Sequence, residues 1–377
     1  MKRRQMIVVP LLFCLLASPA SALLAPISAA SPTVAISAST ATPHFPQNIA
    51  FHLEARAASG EITGLNLLYH AANTPVTKRV RVPVERGQQI KLDYALDTQT
   101  DFLAPGLDIE YRWAFTLSDE TQYRTDPTTL FYMDDQQQWK KTTSGAITLW
   151  WYSGDDAFGQ DTIGAATRAA DTLEKNFNVT GDRPIRILVY ANARDLRVAL
   201  PPNSAEWIGG GASTQLGIIH AAIAPGQSAA SEIRRIIPHE MSHMIVYQAS
   251  LNPYNHPPLW LDEGLAVHNQ ETPDIRFRPL VRDAADNGKL IPVRALDSPF
   301  PFNAEQALLS YAESESIVNF IINAYGSKYI GALVSAFKDE LSYDQVVQKV
   351  LKESIEDLDK EWKASLNYSG DQGGITG

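Results

Sequence analysis

The sequence predicts an α+β protein, in which an antiparallel β-sandwich precedes a second domain with a helical C-terminal half. Two observations carry this prediction. Residues from about 47 to 135 alternate apolar and polar side chains, which is typical of half-buried strands. From Ser231 onward the apolar residues recur at helical spacing instead. A strand-rich half followed by a helical half is the pattern of an α+β fold.

The N-terminal half contains short runs with the period of strands. They cover residues 49–54, 80–85, 90–96 and 109–115, and clusters of Pro, Gly, Asn and Asp separate them. Several short strands joined by turns indicate a β-sandwich of the immunoglobulin or fibronectin kind. We place this sandwich at residues 47–140, and no catalytic constellation is visible in its sequence.

The second domain is expected to span residues 145–368. An amphipathic helix is predicted over 157–177, and strands are predicted at 147–152, 184–190 and 216–222. Six helices are then expected, at about 231–250, 259–270, 303–324, 327–339, 343–352 and 354–366.

The N-terminus predicts export. Lys2, Arg3 and Arg4 precede an apolar run over residues 6–17, and small residues follow up to Ala22. This is the pattern of a secretory signal, which we place at residues 1–22. The apolar run is shorter than the roughly 20 residues that span a bilayer, so no stable membrane anchor is expected after cleavage.

The composition of the terminal segments and the net charge indicate which partners and which cellular compartment to expect. Residues 23–46 are rich in Ala, Ser, Thr and Pro and predict a flexible spacer, and residues 369–377 predict a disordered tail. The only cysteine, Cys14, lies in the signal, so the mature chain would form no disulfide. The net charge of −10 disfavours nucleic acid and anionic membranes as partners. We expect a secreted bacterial protein.

His239, Glu240 and His243 form an HExxH pattern. On a helix, residues four apart share one face, so the two imidazoles could bind one Zn²⁺ together. Glu240 lies one step round the helix, where it could act as general base toward a water on the metal. Apolar neighbours predict that this helix is buried, and Pro238 must either start the helix or kink it.

A catalytic zinc site needs a third protein ligand and an open fourth position. Glu263 opens the next predicted helix, with nineteen residues between it and His243. Its neighbour Asp262 remains an alternative. The extended HExxHxxGxxH motif is excluded, because Val246 and Ala249 stand where it requires Gly and His.

Two other histidines are weaker candidates for the third ligand. His256 lies in a loop rich in Pro and Asn, where a solvated role is expected. His268 falls on a different helical face from Glu263 and would not converge with it.

The segment HEMSH followed by WLDEGLA resembles the gluzincin peptidases, the thermolysin-like group in which HExxH and a later Glu bind zinc. The second segment is similar to WLNEGFA of the zinc aminopeptidases, although the gap is one residue longer here. The similarity to the peptidase MA-like family of exported bacterial proteins is closer still and runs from Phe51 through Trp362. The GxMEN-type exopeptidase motif is not found, so specificity for free amino termini is not implied.

This resemblance implies a thermolysin-like catalytic domain with a small mixed sheet and a helical C-terminal half. It implies that His239, His243 and Glu263 bind one Zn²⁺ per chain, with Glu240 as the catalytic base. It also suggests Tyr311 as donor to the developing oxyanion, since the aminopeptidases place a tyrosine on a later helix. The helical spacing of Tyr311 with other apolar residues favours a place in the core instead.

The expected function is that of a secreted zinc-dependent metallopeptidase acting on a peptide or protein. A catalytically silent binding module and a metallohydrolase for a non-peptide substrate are the alternatives. The glycines at 209–211 lead into the strand predicted at 216–222. If that strand lies at the edge of its sheet, it could pair with an extended peptide.

Overall fold

The computed structural model describes residues 33–179, 183–202, 209–301 and 303–368. The expected signal at 1–22 and the expected tail at 369–377 lie outside these residues. The α+β organisation predicted from the sequence is confirmed, with a strand-rich N-terminal half and a helical C-terminal half.

The N-terminal domain consists of two antiparallel sheets. One sheet has the strand order β1-β2-β5, and the other has the order β4-β3-β6-β7, with β8 pairing the far end of β6. The strands are β1 (Val34–His44), β2 (Asn48–Ala57), β3 (Ile62–Ala71), β4 (Lys78–Val82), β5 (Gln89–Asp97), β6 (Leu107–Leu117), β7 (Gln122–Arg124) and β8 (Thr128–Tyr132).

Alternation along the strands builds the core between these sheets. In β6 every second residue is buried, from Leu107 to Leu117, because successive side chains of a strand point to opposite faces. Phe51 of β2 contacts Tyr111 and Trp113 of β6 edge to face, with ring centroids 5.1 and 5.7 Å apart. Aromatic pairs across the two sheets therefore hold the sandwich together.

The flexible spacer expected at 23–46 is wrong for its second part. Residues Val34–His44 form β1, which pairs with β2 from Val34↔Ala57 to His44↔Asn48. This edge strand alternates β-branched residues with small ones, and its backbone needs only one partner strand. The lack of charge that suggested a spacer is compatible with such an edge.

The second domain contains a five-stranded mixed sheet with the order β12-β13-β11-β10-β9. β10 and β13 run parallel to β11, whereas the outer strands β9 and β12 are antiparallel to their neighbours. The strands are β9 (Lys140–Ser144), β10 (Ile147–Trp151), β11 (Ile185–Tyr190), β12 (Gly210–Ser213) and β13 (Ile218–Ala222). β9 starts at the last residue of the predicted sandwich, so this sheet begins before the predicted boundary at 145.

The expectation of an edge strand at 216–222 is wrong. β13 (Ile218–Ala222) lies inside the sheet, between β11 and β12. The edge is β12 (Gly210–Ser213), formed by the glycine-rich segment itself. Strand propensity did not reveal β12, because glycine has no side chain to pack and the strand is made by backbone pairing alone.

Nine α-helices lie within the described residues. They are α1 (Asp156–Phe177), α2 (Ala193–Ala199), α3 (Ala229–Ser250), α4 (Leu259–His268), α5 (Phe277–Asp286), α6 (Ala304–Ala324), α7 (Lys328–Ala336), α8 (Tyr343–Val350) and α9 (Ile355–Ser365). Helices α2 and α5 were not expected. In the part of the chain that the structure describes, no helix is long and apolar enough to cross a membrane.

The mixed sheet lies between the sandwich and the helices. Alternate residues of its strands pack in opposite directions, so that Leu188 joins the sandwich core while Ile187 and Val189 join the helical core. Polar contacts also join the mixed sheet to the sandwich. The imidazole of the fully buried His220 lies 3.0 Å from the carbonyl oxygen of Pro105, and Arg186 donates to that of Gly106 at 2.7 Å.

Candidate metal centre

Helix α3 brings His239, Glu240 and His243 to one place in the interior. The Nε2 atoms of the two histidines are 3.4 Å apart, as expected for residues one helical turn apart. The apolar residues of α3 predicted to be buried are buried, because the helix packs between the mixed sheet and the other helices.

Pro238 neither starts nor breaks α3, since it lies in the middle of Ala229–Ser250. A proline has no backbone N–H, so the carbonyl of Arg234 loses its helical partner. That carbonyl instead accepts a hydrogen bond from the backbone N–H of Glu271, at 2.9 Å. The helix therefore passes through the proline with its freed acceptor satisfied from outside.

The segment 269–271, directly after α4, lies along α3. Asn269 donates to the Ser242 hydroxyl at 3.1 Å, and the Gln270 amide lies 3.1 Å from Nδ1 of His239. Together with the bond from Glu271, each of the three residues contacts a different turn of α3. This series of contacts fixes the distance between α3 and α4.

Helix α4 supplies Glu263. Its Oε2 lies 3.5 Å from Nε2 of His239 and 3.5 Å from Nε2 of His243. The next residue, Gly264, allows α4 to approach α6, because a Cβ there would lie only 2.4 Å from the carbonyl oxygen of Ser314. Close helix packing thus places Glu263 over the two histidines.

These three side chains fit a zinc ion. Tetrahedral zinc with Zn–N and Zn–O distances near 2.0–2.1 Å requires ligand atoms about 3.3–3.4 Å apart. The three separations of 3.4, 3.5 and 3.5 Å match that requirement. Oε2 of Glu263 is also buried without a hydrogen-bond partner, which is costly unless a cation binds it. Among the described residues, this is the one group of three or more His, Cys, Asp or Glu side chains with metal-binding spacing.

Asp262, the alternative third ligand, lies elsewhere. Its Oδ2 is 3.0 Å from Nδ1 of His243, on the side of the ring away from the other two candidate ligands. A carboxylate in this position orients the imidazole and raises its basicity as a ligand. The two remaining histidines are also separate from the cluster, since His268 bonds to Asn319 and His256 to the carbonyl of Pro257.

Opposite charges offset the burial of the cluster. Although burial alone lowers it, the pKa of His243 is held well above its usual range by Asp262 and Glu263. Burial would raise the pKa of Glu263, but the two imidazoles hold it below its usual range. The site is thus built to keep the Glu263 carboxylate ionised in a nearly dry environment.

Glu240 points toward the edge strand rather than into the cluster. Burial raises the pKa of its carboxyl group, and the two histidines partly counteract this. A Cβ at Gly210 of β12 would lie 2.6 Å from Oε1 of Glu240. Only glycine at 210 therefore leaves room for this carboxylate beside the edge strand.

Tyr311 of α6 belongs both to the core and to the site. Its ring packs edge to face on Phe300, with centroids 5.0 Å apart, and lies 6.4 Å from the ring of His239. It lines the same cavity as Glu240 and Glu263. Burial and these two carboxylates raise the pKa of its phenol, so the hydroxyl keeps its proton.

The three candidate ligands, which we call the metal cluster, line a cavity of about 540 Å³. They are His239, His243 and Glu263. Edge strand β12 forms one wall, and apolar side chains of α3, α4, α5 and α6 contribute Ile236, Val267, Phe277 and Leu308. The cavity is large enough for a ligand that lies along the edge strand. Sequence reasoning missed the contributions of Gly210, Gln270 and α5, because they depend on contacts between distant segments.

Several solved structures align with most of this chain at low sequence identity. An M1 zinc metallopeptidase from Deinococcus radiodurans is 14% identical and aligns over 87% of this chain and 91% of its own, with a TM-score of 0.38. A variant of that enzyme bound to a Tyr-Ser-Ala substrate is 12% identical over 87% and 91%, with a TM-score of 0.39. An aminopeptidase N family protein from Idiomarina loihiensis is 10% identical over 84% and 73%, with a TM-score of 0.40.

No curated protein matches this chain in sequence. The sequence model of the Peptidase MA superfamily matches residues 165–368, which is more than half of the chain and contains every candidate metal ligand. The resemblance inferred from HEMSH and WLDEGLA is thereby confirmed, and the chain belongs to the Peptidase MA superfamily.

Proposed function

We propose that this protein is a zinc-dependent metallopeptidase that binds one Zn²⁺ through His239, His243 and Glu263. The observation that carries the proposal is the arrangement of their ligand atoms, 3.4–3.5 Å apart around an unpartnered, buried carboxylate oxygen. Membership of the Peptidase MA superfamily favours peptide hydrolysis over other metal-assisted reactions.

Zinc in this position would supply Lewis acidity, which lowers the pKa of water and polarises a carbonyl group. Glu240 is the general base in this proposal. Its buried carboxylate accepts the proton of the attacking water and then donates it to the leaving amine. Burial raises the pKa of Glu240 toward neutral pH, where a carboxyl group can both accept and donate a proton.

Two further elements support the reaction. The Tyr311 hydroxyl stays protonated and lines the cavity, so it can donate a hydrogen bond to the developing oxyanion. Among the described strands, β12 pairs with β13 alone, and in this proposal its other side pairs with an extended peptide backbone. We therefore propose that a peptide pairs with Gly210–Ser213 rather than with residues 216–222.

We further propose that the enzyme acts outside the cytoplasm of a bacterium. The support is the signal pattern of residues 1–22 and the lack of cysteine beyond Cys14. Export of the full chain with removal of about the first 22 residues, measured by N-terminal sequencing of the secreted protein, tests this part.

Metal analysis combined with a peptide-library digest tests the function. We expect about one zinc per chain in the wild type and in Glu240→Gln, because that residue does not bind the metal. Cleavage should fall at least about 100-fold in the variant alone. Equal cleavage by both proteins would remove Glu240 as base.

The same experiment separates the alternatives. Bound zinc without cleavage of any peptide would favour a metallohydrolase of another class. Absence of zinc would favour a binding module on a peptidase scaffold.

A further inference from the structure

A second cavity of about 490 Å³ is lined by His243 and Asp262. It is formed mainly by the end of α3 and by the loop of residues 251–257. Thr214, His243 and Asp262 line both this cavity and the first one. The two cavities therefore adjoin one another at His243, one of the three candidate metal ligands, and we call them together the cleft.

The loop that forms the second cavity is held in place. The side-chain amide of Asn252 donates to the carbonyl of Phe337, and that of Asn255 donates to the carbonyl of Leu341 at 2.6 Å. The Asn252 side-chain oxygen accepts from the backbone N–H groups of Tyr254 and Asn255, each at 2.8 Å. Two asparagines thus fix the loop to the end of the α7 region.

Exposed apolar side chains lie in or next to both cavities. Tyr254 is 77% and Leu251 46% exposed, and both line the second cavity. Ile275 is 89% exposed and lies between two residues that line the first cavity. These are three of the six large apolar side chains exposed in the described part of the chain. Leu251 and Tyr254 are grouped on one fixed loop, and grouped rather than scattered apolar side chains are typical of a binding surface.

We infer that the enzyme is an endopeptidase, in which an extended polypeptide crosses the metal centre and places an apolar side chain against Tyr254 and Leu251. This inference rests on the proposed peptidase function. In this inference the substrate extends from the first cavity past His243 into the second, and the loop 251–257 supplies a substrate-binding subsite there.

Three peptides test this inference on the zinc-loaded full-length protein. The long peptide has about eight residues, or about 26 Å when extended, and is acetylated and amidated so that no free terminus remains. The other two are shortened versions, one on each side of the scissile bond. We expect cleavage of the blocked long peptide at an internal bond.

The variants are Tyr254→Ala and the matched control Val198→Ala, which removes an apolar side chain that is 43% exposed on α2 and does not line the cleft. In Tyr254→Ala, the ratio of kcat/KM for the long peptide to that for one of the shortened peptides should fall about tenfold. The ratio in Val198→Ala should equal that of the wild type.

Release of single residues from free amino termini, with the blocked peptide intact, would overturn the inference and leave the peptidase function standing. An equal ratio in both variants would remove Tyr254 and its loop from substrate binding. Failure of the zinc-loaded enzyme to cleave any peptide would overturn the peptidase function together with this inference.

Discussion

The two domains differ in the number and the surroundings of the polar groups that they bury. Eleven polar or charged residues are buried in the described chain, and the N-terminal sandwich holds only Thr98 and Asp134 of them. The second domain holds the other nine, among them Glu240 and Glu313. In the sandwich the two buried groups bond to backbone, whereas in the second domain the buried carboxylate of Glu240 lies near the His239, His243 and Glu263 side chains. Such clusters are stable only when a partner ion or proton compensates their charge.

The interface between the domains offers the largest test of this difference. Burial lowers the pKa of His220 to about 4, below the usual value of 6.5. The neutral imidazole is therefore favoured in the folded protein, and its contribution to stability is present above pH 6.5 and lost as the pH falls toward 4. We expect the wild type to lose about 3 kcal/mol of unfolding free energy between pH 7.5 and 4 relative to His220→Gln.

Urea unfolding of both proteins at several pH values measures this loss. The glutamine variant keeps a donor for the Pro105 carbonyl but cannot titrate, so it removes the contributions of all other groups. Parallel pH profiles for the two proteins would show that His220 is not neutralised by burial.

The edge strand offers the next test, within the second domain. Gly210→Ala would place a methyl group 2.6 Å from Oε1 of Glu240 and so displace the proposed base. A displacement of about 1 Å can reduce turnover about 100-fold, and we expect a loss of that size in kcat. Zinc content, measured by metal analysis, should be unchanged. Gly211→Ala is the matched control, since a Cβ there would be 3.6 Å from its nearest neighbour, Leu200. Loss of zinc in Gly210→Ala would contradict the separation of base and ligands.

A smaller effect is expected behind the metal ligands. Asp262→Asn retains the size of the side chain but removes the charge beside His243. Loss of such an outer partner typically reduces metal affinity 10- to 100-fold, and competition with a chelator would measure it. If Asp262 bound the metal directly in place of Glu263, Glu263→Gln would leave zinc affinity nearly unchanged.

The smallest effect is expected in the sandwich. Thr98 donates to the carbonyl of Pro46 at 2.8 Å and accepts from the Tyr132 hydroxyl at 3.1 Å. Thr98→Val should reduce the unfolding free energy by about 1–3 kcal/mol, because two buried partners lose a hydrogen bond. Zinc content and peptide cleavage should not change. A fall in zinc content would show that the sandwich and the metal centre are more tightly coupled than their separate cores suggest.

The sequence predicts those parts of the molecule that depend on local pattern. The alternation of β6 and the apolar faces of α1, α3 and α6 are periodic, so their elements lie close to the predicted bounds. The HExxH spacing belongs to the same class, since one helical turn brings His239 and His243 together whatever surrounds them.

Other parts depend on contacts between distant segments, which no local pattern encodes. β1 and β12 are strands because a neighbouring strand pairs with their backbone. The choice between Asp262 and Glu263 depends on the rotation of α4 against α3, which Gly264 and the segment 269–271 set. Residue type alone left that choice open.

Pro238 has a consequence for the metal binding proposed at this centre. Because it frees the Arg234 carbonyl for Glu271, the two ligand-bearing helices are joined by backbone before any ion arrives. Ligand side chains that are already held in place lose little conformational entropy when they bind a metal. They would therefore bind it more tightly than the same ligands on two free helices. In Pro238→Ala, α3 could reclaim its own hydrogen bond and release Glu271. Proline usually interrupts a helix, but Pro238 instead permits the hydrogen bond that holds the two ligand-bearing helices together.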